Sequence, residues 1–338
     1  MSTPGIIVVG ASAGGVEALT RLVADLPSNL PAAVFVVLHL APHSQSHLAS
    51  ILKRASQLEV TSAWDGDIIR PGWIYVAIPD HHLTLEDGLV RIGHGPKENR
   101  HRPAIDALFR SAAFSHGSRV IGVILTGALD DGTAGLLAIK QCGGIAIVQD
   151  PNDAFCPEMP RNALAHVNAD AVVPVVEMGA LLTRLVRVPV ESAHEDASTR
   201  ELLWKEIQLT DLRHTSPASD DGPGVPSAYP CPEWHGTLSE IHDGSLIRYT
   251  CRVGHGFSRD ALMKGQDDAL ETALRSALKT LEESTSLTQH SLAQAKAGGM
   301  DWLVKRFSQK LIELDVTFDE TEDRRSGKLC AVNVRPAR

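Results

Sequence analysis

Apolar positions follow two rhythms along the first half of the chain. Unbroken apolar runs, Ile6-Ile7-Val8-Val9, Ala33-Val34-Phe35-Val36-Val37-Leu38 and Ile121-Gly122-Val123-Ile124-Leu125, alternate with stretches where apolar residues recur every three or four positions. Val16, Leu19, Leu22 and Val23 come after the first run in that way, predicting a helix that starts near Gly14. Continuous runs suit strands buried on both faces, and the longer period suits helices packed on them. The same reading predicts a helix through Leu48, Ile51 and Leu52, and short strands over 74–78, 83–85 and 89–92. The last two form a hairpin about Asp87-Gly88. A helix through Ile105, Leu108, Phe109 and Ala112 comes next, then a strand at 120–126, a helix at 132–141, a strand at 145–149 and a helix at 178–186. This alternation predicts an α/β fold with a doubly wound, mostly parallel sheet.

Beyond residue 188 the pattern changes. Residues 189–230 are rich in Ser, Asp, Pro and Gly and predict a linker holding one short helix near 200–212. A small Cys/His module is expected over 231–262, and a helical hairpin tail over 263–325. In the tail, Leu270, Leu274, Leu278 and Leu281 stripe one helix, and Trp302, Phe307, Leu311 and Leu314 the next. The α/β domain is thus expected at 1–188.

The 338 residues exceed an ordinary single domain, and at 43% hydrophobic they bury a substantial core. Aromatic residues make up only 4%, so aliphatic side chains must fill it. A formal net charge of -9 argues against a nucleic-acid partner, which draws on a basic face. The first residues lack the basic start and long apolar stretch of a secretory signal, and no run approaches a membrane span, so a cytoplasmic protein that is not membrane-inserted is expected. Five scattered cysteines argue against a disulfide framework.

The three long runs matter most for the residues at their carboxyl ends. The first leads into Gly10-Ala11-Ser12-Ala13-Gly14, the second into His39, the third into Asp130-Asp131-Gly132. Parallel strands would deliver a hydroxyl, an imidazole and a carboxylate to one sheet edge, the parts of a hydrolase triad. Gly-x-Ser-x-Gly fits a sharp turn that presents a nucleophile, with the Ala13 N–H placed to hold an oxyanion. It equally fits a glycine-rich turn that cradles a phosphate. A dinucleotide site would place an acidic residue at the end of the second strand, where this chain has His39. Spacing does not distinguish Asp130 from Asp131.

Residues 5–186 resemble the catalytic domain of CheB, the chemotaxis-type protein-glutamate methylesterase. The resemblance rests on Val9-Gly10-Ala11-Ser12-Ala13-Gly14-Gly15, Leu38-His39-Leu40, Pro71-Gly72-Trp73-Ile74-Tyr75-Val76-Ala77, His101-Arg102-Pro103, Leu108-Phe109-Arg110-Ser111-Ala112-Ala113, Leu125-Thr126-Gly127 with Asp130-Asp131-Gly132, and Met159-Pro160-Arg161. It implies a triad of Ser12, His39 and Asp131. The implied reaction is cofactor-free hydrolysis of glutamate γ-methyl esters on chemoreceptor helices, with deamidation of receptor glutamines through the same acyl-enzyme. Arg102 and Arg110 are candidate contacts for an acidic receptor surface, or else ordinary salt-bridge partners. Two departures stand out. The chain begins at the first catalytic strand, with no receiver domain before it, and Ala128-Leu129 stand where Met and Gly are commoner.

Cys231-Pro232-Glu233-Trp234-His235 and Cys251-Arg252-Val253-Gly254-His255 form two Cys-x-x-x-His pairs around a hairpin turn at Asp243-Gly244. Cys231, His235, Cys251 and His255 are therefore candidate ligands of a structural zinc in a ribbon-like module. The module resembles the tail of standalone CheB-like proteins, in which Cys-Pro-x-Cys is expected at the first pair and Trp234 takes the second cysteine's place. A metal-free remnant packed on Trp234 is the competing reading. For the whole chain the alternatives are a catalytically silent relative that binds receptors or a regulatory partner, and a nucleotide-binding domain.

Overall fold

A computed structural model of the chain describes residues 5–40, 46–189, 197–210 and 224–325. The apolar runs form the middle of a seven-stranded sheet of order β3-β4-β2-β1-β7-β8-β9, parallel throughout. Its strands are β1 (Gly5–Ala11), β2 (Ala32–Leu38), β3 (Glu59–Ser62), β4 (Trp73–Val76), β7 (Val120–Ile124), β8 (Ile145–Gln149) and β9 (Ala171–Val173). A hairpin of β5 (His82–Glu86) and β6 (Leu89–Gly93) lies apart from this sheet.

Period-two alternation explains the two layers. Ile7, Val9, Val34 and Val36 face α1 (Gly15–Ala24), α2 (Leu48–Ala55) and α6 (Val175–Leu185), whose Leu19, Leu22, Leu52, Met178 and Leu182 complete one core. Ile6, Val8, Phe35 and Val37 face the other way. There they meet Ile105, Leu108, Leu136, Ile139 and Met159 of α3 (Ile105–His116), α4 (Thr133–Gln141) and α5 (Glu158–His166). Burial on both faces is why these strands read as unbroken apolar runs. The chain runs from β1 to β2, crosses to the edge at β3, steps back to β4 between them, and then moves to the other side of β1 with β7. The direction of winding reverses at β1, where open α/β sheets open a crevice at their carboxyl ends.

The helix predicted at 178–186 begins three residues earlier, and β3, α5 and β9 are additional to the predicted elements. In the span expected as a linker, residues 197–210 form α7 (Ala197–Thr210) and residues 225–230 form β10 (Val225–Pro230), while 190–196 and 211–223 lie outside the described residues. Trp204 of α7 stacks on Phe114 of α3 with ring centroids 5.6 Å apart. β10 is the edge of a second, antiparallel sheet with β11 (Thr237–Asp243), β12 (Leu246–Cys251) and β13 (Gly256–Ser258). This ribbon belongs to one compact unit with everything before it, up to Leu262. The second unit, from Met263, consists of most of α8 (Arg259–Ala297) and of α9 (Asp301–Arg325), joined through Gly298-Gly299. Among the described residues no helix is long and apolar enough to cross a membrane.

Gly10 marks the closest approach of a helix to the sheet, since a Cβ there would lie 2.3 Å from Ile105 Cγ2. Gly10→Ala is expected to push α3 off β1 and to destabilise the protein by about 1–3 kcal/mol, read as a lowered melting temperature.

Candidate active site

Parallel pairing places the three strand-end residues side by side. Ala11 pairs with Leu38, so Ser12 and His39 are the next residues on adjacent strands, and the His39 N–H reaches Ala11 O at 3.2 Å. Paired strands run about 4.8 Å apart, so the two residues leave the sheet as neighbours. On the other flank β7 leads through Thr126 to Asp131. The Ser12 N–H donates to Thr126 O at 2.9 Å, and the Thr126 hydroxyl donates to Ala13 O at 2.8 Å. Gly14, with φ 75, turns the chain into α1. That conformation suits glycine and leaves Ser12 in a tight bend between strand and helix. The Gly15 N–H at the start of α1 donates to Ser12 O at 2.9 Å and closes this turn.

His39 Nε2 lies 2.7 Å from Asp131 Oδ2, with both side chains at most 5% exposed. Asp131 also accepts from the Ile105 N–H at 2.7 Å, the Asp106 N–H at 3.3 Å and Asn99 Nδ2 at 2.8 Å. Burial alone would raise this carboxyl. The hydrogen bond and charge of His39, with the Ile105 amide, outweigh it and hold the group well below the usual carboxylate range. His39 Nδ1 is buried and has no hydrogen-bond partner among the described residues, so one ring nitrogen is left uncommitted. His101 stacks on the His39 ring at 3.7 Å with planes 7° apart. Burial and the adjacent His39 push His101 down to about 3, so it lies neutral against the imidazole. A cleft of about 530 Å³ opens beside the turn, lined by Gly14, Arg21, Thr126, Asp153 and the exposed Phe155.

Of the two adjacent aspartates, Asp131 meets His39 and Asp130 does not. Asp130 Oδ1 accepts from the Ser258 hydroxyl at 2.6 Å. The two candidate arginines are engaged inside the protein. Arg110 is 3% exposed, bonded to Glu98 and 3.3 Å from Glu206, so it does not reach a docked receptor. Arg102, 14% exposed, donates to Asp80 and to Gly95 O. Leu129 adopts φ 62, the left-handed region that explains why glycine is commoner there in the resembled family. Glu158 Oε2, accepting its N–H, and Asn162, donating to its O, hold it in place.

In the ribbon, Cys231, Cys251 and His255 converge, their ligand atoms all within 4.8 Å of one another. His235, expected as a fourth ligand, lies outside this cluster. The Cys231 thiol, donating to Cys251, holds the Cys251 sulfur down to about 4. Asn99 and Ser258 are site residues that the sequence patterns did not single out, and His101 entered only as part of the resembling segment His101-Arg102-Pro103, without a role. Their polar side chains match no helical or strand period, and they acquire their roles only through contacts with residues far along the chain.

A parallel α/β domain with serine, histidine and aspartate brought to one sheet edge has the arrangement that Ser-His-Asp hydrolases use. Residues 7–182 match the model of the CheB methylesterase family, just over half of the chain. The putative protein-glutamate methylesterase/protein-glutamine glutaminase of Leptospira interrogans (strain Fiocruz L1-130) is 37% identical over 180 residues, covering 53% of this chain and 93% of that protein. Protein-glutamate methylesterase/protein-glutamine glutaminase 3 of Burkholderia lata is 39% identical over 182 residues, covering 53% of this chain and 50% of that protein. The crystal structure of the Thermotoga maritima CheB methylesterase catalytic domain superposes with a TM-score of 0.52 at 35% identity, covering 54% of this chain and all of that one. The chain belongs to the CheB methylesterase family.

Asp130 supplies a test of the site's electrostatics. Burial, with like charges on Asp260 and Asp131, raises its carboxyl to about 7. A folded-state value above the unfolded one means the unfolded chain loses this proton first, so folded stability falls as pH rises from about 4 to about 7. Asp130→Asn is expected to be more stable than the parent at pH 8, by at most about 4 kcal/mol, with the difference vanishing at pH 4. Denaturant unfolding at the two pH values reads it, and a difference independent of pH overturns the assignment.

Proposed function

We propose that the protein hydrolyses γ-methyl esters of glutamate side chains on chemoreceptor cytoplasmic helices, with Ser12 as nucleophile, His39 as base and Asp131 as orienting acid. The observation that carries this reading is the buried His39–Asp131 pair at 2.7 Å, next to a serine on a strand-to-helix turn. Asp131 fixes the ring with its Nε2 protonated, leaving Nδ1 to take the Ser12 proton as the hydroxyl oxygen attacks the ester carbonyl. The Ala13 N–H holds the resulting oxyanion. Collapse of the tetrahedral intermediate expels methanol, which takes the proton from His39 and leaves a γ-glutamyl ester on Ser12. Water attacks that ester, again deprotonated by His39, and releases glutamate and the free serine. A glutamine amide enters the same acyl-enzyme with ammonia as leaving group. No step draws on a cofactor, and the site belongs to a cytoplasmic protein acting on receptor helices. Phe155, exposed beside the cleft, offers such a helix an apolar contact.

Methylated receptor membranes incubated with the protein are expected to release methanol. Ser12→Ala should abolish release, and Asp131→Asn should lower kcat on the order of 10⁴-fold by favouring the wrong ring tautomer. Release that survives in Ser12→Ala would overturn the assignment.

We propose further that the ribbon holds one zinc ion on Cys231, Cys251 and His255. His255 Nδ1 lies 3.8 Å from Cys231 Sγ and 3.4 Å from Cys251 Sγ. Zn–S and Zn–N bonds of about 2.3 and 2.0 Å in tetrahedral array put such atoms about 3.5 Å apart. With His235 outside the cluster, the fourth position falls to a water or an outside ligand. The metal supplies the cohesion that the six-residue buried core of the ribbon lacks. Metal analysis should give about one zinc per chain, falling below about 0.2 in Cys251→Ser. Equal content in both would remove the proposal.

A further inference from the structure

Asn99 lies between the ribbon and the triad, 4% exposed. Its side-chain oxygen accepts from the Ser258 N–H at 2.8 Å. Its side-chain nitrogen donates to Asp131 Oδ1 and to Asp106 Oδ2, each at 2.8 Å. One amide group thus has both of its N–H bonds on buried carboxylates and its oxygen on the ribbon, so turning it breaks all three contacts. The backbone around it is tied to the same strand. The Asn99 N–H donates to Gly256 O at 2.8 Å, and the Gly256 N–H donates to Lys97 O at 3.3 Å. Asn99 and Arg100 both adopt left-handed φ, 48 and 70, a conformation that persists where the surroundings hold it. Two residues on, His101 stacks on His39. The same short loop therefore touches the base and the acid of the triad.

The ribbon strand that grips this loop starts at Gly256, the residue after His255 of the thiol–imidazole cluster. Ser258 adds a second tie through its bond to Asp130, the neighbour of Asp131. Behind the loop runs a buried ionic chain. Glu98 pairs with Arg110, Arg110 with Glu206 of α7 at 3.3 Å, and Glu206 with Arg248 of β12 at 2.8 Å. Backbone ladder, amide bridge and ion pairs all place ribbon geometry and triad geometry in one network.

We infer that the ribbon is an activity clamp: through Asn99 it sets Asp131 against His39, and metal occupancy at Cys231, Cys251 and His255 switches the triad between an aligned and a loosened state. Asn99 is a positioning residue in this scheme and touches no substrate. The metal half rests on the zinc reading above, while the Asn99 half stands on the hydrogen bonds alone. Without metal, Cys231, ahead of β11, is held to the Cys251–His255 turn by weak sulfur hydrogen bonds and apolar packing in place of coordinate bonds. The segment this loosens is the one bonded to Asn99.

The test uses the full chain and a fluorophosphonate probe, with labelling of Ser12 followed by mass spectrometry and zinc measured on each sample. Asn99→Asp keeps an oxygen for the Ser258 N–H and tolerates left-handed backbone, but it replaces the N–H donors to Asp131 and Asp106 with a third buried carboxyl, so a lowered melting temperature is expected whatever its role. At a temperature where the variant remains folded and holds zinc, the maximal labelling rate is expected to fall 10–100-fold, with probe affinity changed less than about two-fold. A purely structural role would instead change rate and affinity together, or leave both unchanged in the folded protein, and either result overturns the positioning role. Stripping zinc with a chelator should slow labelling at least ten-fold, and added zinc should restore it. Zinc present and removable with no change in rate overturns the metal switch and leaves the zinc site standing. A parent protein without zinc removes the switch together with the site, and Asn99→Asp still decides the positioning role. Failure of the unmodified, zinc-loaded protein to label at Ser12 counts against the esterase reading itself.

Discussion

Asp131 is a buried carboxylate, and an ion so placed is tolerated only when donors surround it. Two backbone amides from the start of α3, the Asn99 amide and the His39 ring meet that demand. The consequence spreads outward. α3 must begin at Ile105 for its first N–H groups to point at the carboxylate, and its apolar side must then lie on β1 close enough that only glycine fits at position 10. The packing of one helix, the composition of the central strand and the orientation of the His39 ring all depend on keeping one charge in place.

The second constraint is the sheet. Serine and histidine need no loop to bring them together, because register between β1 and β2 already sets them on neighbouring strands. Reversal of winding at β1 then brings β7 to its free side, and with it the turn that carries Asp131. A parallel sheet whose strands all end at the same edge is an efficient way of gathering residues that lie 92 positions apart in sequence, as His39 and Asp131 do.

Much of this was legible in the residues alone. Strands buried on both faces announce themselves as apolar runs, and the residues after each run must emerge at the sheet edge, so Ser12, His39 and the aspartate pair could be read directly. Choosing between Asp130 and Asp131 could not, because the two differ only in which way a turn points them. The Pro-containing segment Val225–Pro230 reads as linker, yet an edge strand accommodates proline on its unpaired side. Pro160 similarly masks α5, although the first turn of a helix accepts it. For Arg110 the residues leave a receptor contact and a salt bridge both open, because its partner Glu206 lies 96 residues later and the ribbon strand beyond that. Asn99 had no local signature because all three of its partners are set by tertiary structure.

The bond from Ser258 to Asp130 spans 128 residues. At translation rates of about 5–20 residues per second, Ser258 is made roughly 6–26 s after Asp130, by which time the whole parallel sheet has left the ribosome. The strands of the sheet are therefore all made before the hydroxyl that binds Asp130 exists. The order of manufacture makes that bond one of the later contacts to close, after the sheet's own ladders have had their partners available.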